Sequence, residues 1–179
     1  MTRPIVAVFG SSQTRPADPA WDEARRLGSV LAAAGFDVAT GGYGGTMEAV
    51  SQGAAGGGAA VIGVTAPSLF PRRSGANRFV TQERPAPTLT ARIGDLISIS
   101  AAAVTLPGSI GTLTELMVAW NELFIRAMSD QPLFPVVAVG SPWDRLVPEI
   151  AASLDTDASF VTLASTVDHV TGLLSRRIG

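Results

Sequence analysis

Leu106-Pro107-Gly108-Ser109-Ile110-Gly111-Thr112-Leu113-Thr114-Glu115 is the stretch on which the reading of this chain turns. Before it lies a run of small and branched residues, Ala102-Ala103-Val104-Thr105-Leu106, and after it apolar residues recur with helical spacing from Thr112 to about Met128. A strand, a glycine turn and a helix in that order make half of a parallel crossover unit. The glycines let the backbone approach a ligand closely, and amides at the start of the next helix point at anions. The pattern predicts a phosphate site over Gly108, Ser109, Ile110, Gly111 and Thr112, with the Ser109 and Thr112 hydroxyls as added donors. A tight turn that holds no ligand is the plainer alternative.

Working outward, the same unit recurs. Ile5-Val6-Ala7-Val8-Phe9 reads as a buried parallel strand ending in Gly10-Ser11-Ser12, and Asp18-Pro19 opens a helix that stops at Gly35. A second strand, Phe36 to Thr40, runs into Gly41-Gly42-Tyr43-Gly44-Gly45, with a helix beginning near Thr46. This loop offers a second anion nest with Thr46 as a candidate N-cap, or else a plain flexible turn. Ala59 to Val64 gives a third strand, and Thr65 to Pro87 reads as a loop without periodicity. Its Arg72, Arg73, Arg78 and Arg84 suit either a lid over an anionic ligand or a solvated loop. A helix from Thr88 to about Ser100 precedes the signature strand. After the long helix come a strand over Phe134 to Val139, a helix over Trp143 to Leu154, a strand over Phe160 to Leu163, and a closing helix over Val167 to Arg177.

Such alternation predicts a doubly wound, Rossmann-like α/β domain over residues 1–179, its parallel sheet covered by helices on both faces. Open parallel sheets take ligands at the carboxyl ends of their strands. Gly10 and Ser11, then Gly41, Gly42, Gly45 and Thr46, then the signature loop all fall at such ends, so three loops are expected to face one crevice.

Composition narrows the chemistry. All 13 basic residues are arginine. Without lysine there is neither a Schiff-base anchor for pyridoxal phosphate nor a Walker A phosphate lysine. No cysteine and a single histidine, His169, remove thiolate and histidine-cluster metal sites, so neither a metal nor a cofactor is expected. A net charge of -2 gives no basic footprint for nucleic acid or an anionic bilayer, and no apolar run reaches the roughly 20 residues of a membrane span. The expected partner is a small-molecule nucleotide, and the expected compartment is the cytoplasm.

Two side chains stand out for chemistry. Glu115 lies early in the long helix, where its carboxylate either looks into the crevice or closes a capping box with Thr112, as Thr112-Leu113-Thr114-Glu115 permits. Arg92, on the preceding helix, either clamps a phosphate or lies in solvent. Trp120 and Phe124 form a stripe that suits the core or a subunit contact, and His169 reads as a surface residue.

The segment Pro107 to Glu115 resembles the P-G-G-x-G-T-x-x-E signature of the LOG family, phosphoribohydrolases that release a cytokinin base from its nucleoside 5'-monophosphate. Val8-Phe9-Gly10-Ser11-Ser12, Thr40 to Met47 and Val61-Ile62-Gly63-Val64 resemble the family's first loop, second loop and third strand. The likeness extends over roughly residues 5 to 155. Arg92 then matches the arginine that the family pairs with the signature glutamate. Ser109 stands where the family has its second glycine, and Leu89-Thr90-Ala91-Arg92-Ile93 stands for M-H-x-R-K. The resemblance implies a homodimer and N-glycosidic hydrolysis of a purine-type nucleoside 5'-monophosphate, with Arg92 and Glu115 as the catalytic pair. Other proteins of this fold carry a molybdenum cofactor, which implies the alternative of a non-catalytic binding or carrier protein.

Overall fold

The structure, a computed structural model, describes residues 2–73 and 75–178. Strands β1 (Ile5–Phe9), β2 (Asp37–Thr40), β3 (Val61–Thr65), β4 (Gln82–Pro85), β5 (Ala102–Thr105), β6 (Val136–Val139) and β7 (Val161–Ala164) form one sheet in the order β4-β3-β2-β1-β5-β6-β7. Every pairing is parallel. The helices are α1 (Pro19–Ala33), α2 (Thr46–Gly56), α3 (Leu89–Ser98), α4 (Ile110–Met128), α5 (Trp143–Leu154) and α6 (Val170–Ile178).

Each central strand is apolar on both sides because both sides are covered. Val6, Val8, Val38 and Val104 pack with α1, α2 and α6, as in Leu27, Val50 and Leu174. Ala7, Phe9, Ala39 and Ala103 point the other way, against α3, α4 and α5, as in Leu96, Leu116 and Val147. The doubly wound architecture is thus as the alternation of elements predicts.

The stretch Thr65 to Pro87 departs from expectation, for it contains a seventh strand. Gln82-Glu83-Arg84-Pro85 lacks apolar periodicity because it lies at the sheet edge, bonded only to β3, where charge and proline are tolerated and discourage pairing with another chain. Thr65 Oγ1 donates to Glu83 at 2.8 Å, and Thr81 Oγ1 accepts from the Val61 amide at 2.9 Å. The long helix also starts two residues earlier than expected, at Ile110 with Ser109 as its N-cap residue.

Helices α1 and α2 cross closely through two glycines. A Cβ on Gly28 would run into the Val50 carbonyl, and one on Gly53 into the Arg25 carbonyl. Replacing an interior helical glycine by alanine ordinarily gains up to about 1 kcal/mol. Here backbone obstructs the methyl, so Gly53→Ala is expected to cost about 1–3 kcal/mol in chemical denaturation. Gly94→Ala, in α3 with nothing within 4 Å of the new methyl, is expected to be neutral or stabilising. Equal effects at the two positions would contradict this packing.

Candidate functional site

Strands β1 and β5 are neighbours at the middle of the sheet, and the chain leaves them toward opposite faces, to α1 and to α4. That divergence opens a crevice at their carboxyl ends. A cavity of about 250 Å³ occupies it, lined by Gly10 and Ser12 after β1, Gly41 after β2, Arg92 on α3, and Ser109, Gly111, Thr112 and Glu115 at the start of α4. Three loops and two helices therefore meet there.

The first turn of α4 supplies its donors. Helix geometry leaves the leading N–H groups without partners four residues back. Among the described residues, no protein acceptor is recorded for the amides of Gly108, Ser109, Ile110, Gly111 and Thr112, while Leu113 already bonds to the Ser109 carbonyl at 3.0 Å. Gly108 lets this turn close, since a Cβ there would overlap the Thr112 side chain. The Ile110 side chain points outward and is 77% exposed.

The loop after β2 is partly tied to the protein itself. The Gly42 amide donates to Thr40 Oγ1 at 3.1 Å and the Thr46 amide to the Ser11 carbonyl at 2.8 Å. Gly45, not Thr46, is the N-cap of α2. Gly42 and Gly45 both have φ of 76°, a conformation that glycine adopts readily. Thr46 also packs beneath Gly10, where a Cβ would strike its side chain. Ser11, Gly42, Gly45 and Thr46 thus shape the crevice floor without lining the cavity.

At the cavity base, Arg92 is buried rather than solvated. Its Nε donates to the Val64 carbonyl at 2.8 Å, and its Nη1 lies 3.5 Å from Glu115 Oε1. Gly41 makes room for the guanidinium, because a Cβ there would occupy the position of Arg92 Nη2. Glu115 closes no capping box: α4 begins at Ile110, so the carboxylate sits a turn and a half into the helix, facing Arg92. Burial pushes its carboxyl up to about 7, with Arg92 offsetting part of the rise. Burial likewise lowers the Arg92 guanidinium, against the opposing pull of Glu115. For both partners desolvation outweighs attraction, as is common for buried pairs.

Trp120 belongs to the core, its indole N–H donating to the Asp157 carbonyl at 3.1 Å, whereas Phe124 is half-exposed. His169 lies on the surface. Sequence reading overlooked the contribution of Met47, Phe70 and Leu89 to the cavity, and did not separate Arg73 from the other loop arginines. These residues come from the starts of α2 and α3 and from an aperiodic loop, where only the excess of arginine gave a signal.

Residues 3–125 match the family model of the SLOG cluster4 family. The chain belongs to this family. Its curated relatives include a probable cytokinin riboside 5'-monophosphate phosphoribohydrolase of Oryza sativa subsp. japonica, 35% identical over an alignment of 134 residues that covers 73% of this chain and 52% of the relative. A cytokinin riboside 5'-monophosphate phosphoribohydrolase of Arabidopsis thaliana is 34% identical over 73% of this chain and 60% of its own length. The chain thus spans about half the length of the curated relatives it matches. The likeness to LOG proteins read from the signature is borne out. Among solved structures, the molybdenum cofactor binding protein of Rippkaea orientalis superposes with a TM-score of 0.79 at 25% identity, over 100% of this chain and 99% of that one. The molybdenum cofactor carrier protein of Chlamydomonas reinhardtii shares the fold at a TM-score of 0.76 and 24% identity, over 98% and 99% of the two chains. Among the described residues, no helix is long and apolar enough to cross a membrane.

A carboxyl raised from 4.5 to about 7 on folding stabilises the protein while it stays protonated. Relative to Glu115→Gln, wild-type stability is therefore expected to fall as pH rises from about 4.5 to 7 and then level off, by about 3 kcal/mol at most. Denaturation midpoints of the two proteins across that range check this; parallel curves would show that Glu115 is not held in a desolvated site.

Proposed function

We propose that this chain hydrolyses the N-glycosidic bond of a purine-type nucleoside 5'-monophosphate to the free base and ribose 5-phosphate. The observation that carries this reading is the buried Glu115 carboxyl beside Arg92, in the same cavity as unpartnered amides at the start of α4. Amides pointing into a helix-start crevice suit a phosphate. With the 5'-phosphate on Gly108 to Thr112, the ribose lies over Glu115. As the bond breaks, the base leaves with the electron pair and takes up a proton, while positive charge grows at C1' and the ring oxygen. An ionised Glu115 stabilises that charge and accepts a proton from the water that adds to C1'. Arg92 holds Glu115 in place and offers its remaining N–H groups to the nucleotide. The names of the curated relatives support the reaction class.

A second reading, a non-catalytic carrier of a phosphorylated cofactor, draws on the end-to-end match with the molybdenum cofactor binding protein. The same amides and the same arginine serve either ligand, and only the carboxylate discriminates, since a carrier has no use for a charge beside C1'. The assembly that accompanies the enzymatic reading is a homodimer in which outer faces of α4 meet. Ile110, Val118, Ile125 and Met128 are exposed there, forming an apolar strip that a monomer seldom leaves open. We assign the protein to the cytoplasm.

Wild-type protein is expected to release base from adenosine 5'-monophosphate, with kcat/KM rising through a pH near 7 as Glu115 ionises. Glu115→Gln should lower turnover by about a hundredfold or more while retaining nucleotide binding. Nucleotide binding without base release by wild-type protein, across a panel of nucleoside monophosphates, would decide for the carrier.

A further inference from the structure

The wall of the cavity on the β3 side includes Phe70 and Arg73, which are backed by Tyr43 and which the reaction described above does not use. Tyr43 and Phe70 meet edge to face, their ring centroids 5.4 Å apart and their planes at 74°. The Arg73 guanidinium sits in the corner between them, 4.5 Å from each centroid. Tyr43 is itself fixed, because its hydroxyl accepts from the Ala66 amide at 2.8 Å and Asn77 Nδ2 donates to its carbonyl at 3.0 Å. Asn77 also holds Gly42, its amide donating to the Gly42 carbonyl at 2.6 Å. A long side chain with ordinarily high rotamer freedom is thus held by a rigid aromatic corner.

Charge adds a second argument. The ion pairs recorded among the described residues include Arg92 with Glu115 but none to Arg73. Arg73 and Arg92 both line the cavity, and among the described residues Glu115 is the only acidic one that does so. They are near enough that Arg73 helps to depress the Arg92 guanidinium. A cavity holding two guanidiniums and one reluctant carboxylate carries net positive charge, and among the described residues no carboxylate pairs with Arg73.

We infer that Arg73 is a specificity-determining residue: held by Tyr43 and Phe70, it closes on the phosphate monoester of the ligand from the β3 side, while the α4 amides hold it from the other. A phosphate monoester carries between one and two negative charges near neutral pH and three acceptor oxygens, enough for both sets of donors. A guanidinium matches those oxygens through two parallel N–H bonds. Within the basic stretch between β3 and β4, Arg73 thereby belongs to the binding site rather than to a solvated loop, and the site selects a nucleotide over the corresponding nucleoside. This inference rests on the proposed nucleotide site but not on hydrolysis, since a carrier of a phosphorylated ligand needs the same contact.

Calorimetric titration of wild-type protein, Arg73→Ala and Phe70→Leu with adenosine 5'-monophosphate, ribose 5-phosphate, inorganic phosphate and adenosine tests it. Arg73 is exposed, so Arg73→Ala is expected to melt as wild type does. Its affinity for the two phosphate monoesters should fall about 10- to 100-fold, the worth of charged hydrogen bonds, with adenosine affinity unchanged. Phe70→Leu should give a smaller loss in the same direction, because it loosens the corner without removing the charge. Inorganic phosphate separates a site for the anion alone, which it then occupies competitively, from one that also requires the sugar. Monoester affinity within twofold of wild type in Arg73→Ala overturns the inference, as does wild-type protein that binds none of the three phosphates. Adenosine 5'-monophosphate that binds through Arg73 yet is not cleaved leaves this inference standing and removes the hydrolase. Cleavage with unaltered KM in Arg73→Ala does the reverse.

Discussion

A guanidinium and a carboxylate held 3.5 Å apart and largely out of water, at the carboxyl end of a parallel sheet, govern much of what surrounds them. Such a pair is costly, because both ions leave water and only good placement returns part of the loss. The neighbourhood supplies that placement. Val64 presents a carbonyl to Arg92 Nε as β3 ends, Gly41 leaves the space that the guanidinium fills, and α4 carries Glu115 on the side that faces Arg92. These contacts join β2, β3, α3 and α4, so the pair also fixes how the loops converge. The proposed function gives that cost a purpose, a perturbed carboxyl in a cleft serving the bound ligand.

The sheet and its helices were legible in the chain because burial on both faces demands continuous apolar strands, as in Ile5-Val6-Ala7-Val8-Phe9, and because glycine punctuates the turns at Gly35, Gly41 to Gly45 and Gly108 to Gly111. Strand β4 was illegible for the opposite reason. An edge strand buries little, so Gln82-Glu83-Arg84-Pro85 follows the needs of solvent and self-protection rather than a core pattern. The start of α4 lies two residues earlier than expected, so Glu115 falls beyond the capping-box position and instead faces Arg92.

The site was legible in kind but not in detail. Glycine-rich turns announce that a backbone comes close to something, without saying whether that something is a ligand or another part of the protein. Gly41 and Gly111 line the cavity, whereas Gly42 and Gly45 bend the loop and Gly108 accommodates Thr112. The burial of Arg92 follows from long-range packing that no local pattern encodes. The same holds for the corner of Tyr43, Phe70 and Arg73, assembled from a tight turn and an aperiodic loop.

Membership of the SLOG cluster4 family places the chain among relatives named for hydrolysis, beside structural neighbours named for carrying a cofactor. Both readings need the anion site; they part at Glu115. The most direct test of the account is therefore where a nucleotide lies, which a crystal structure of Glu115→Gln with adenosine 5'-monophosphate would reveal. The account predicts the phosphate within hydrogen-bond reach of amides among Gly108 to Thr112 and the C1' carbon beside the side chain at position 115. A phosphate held elsewhere, or a ribose turned away from that side chain, would contradict it.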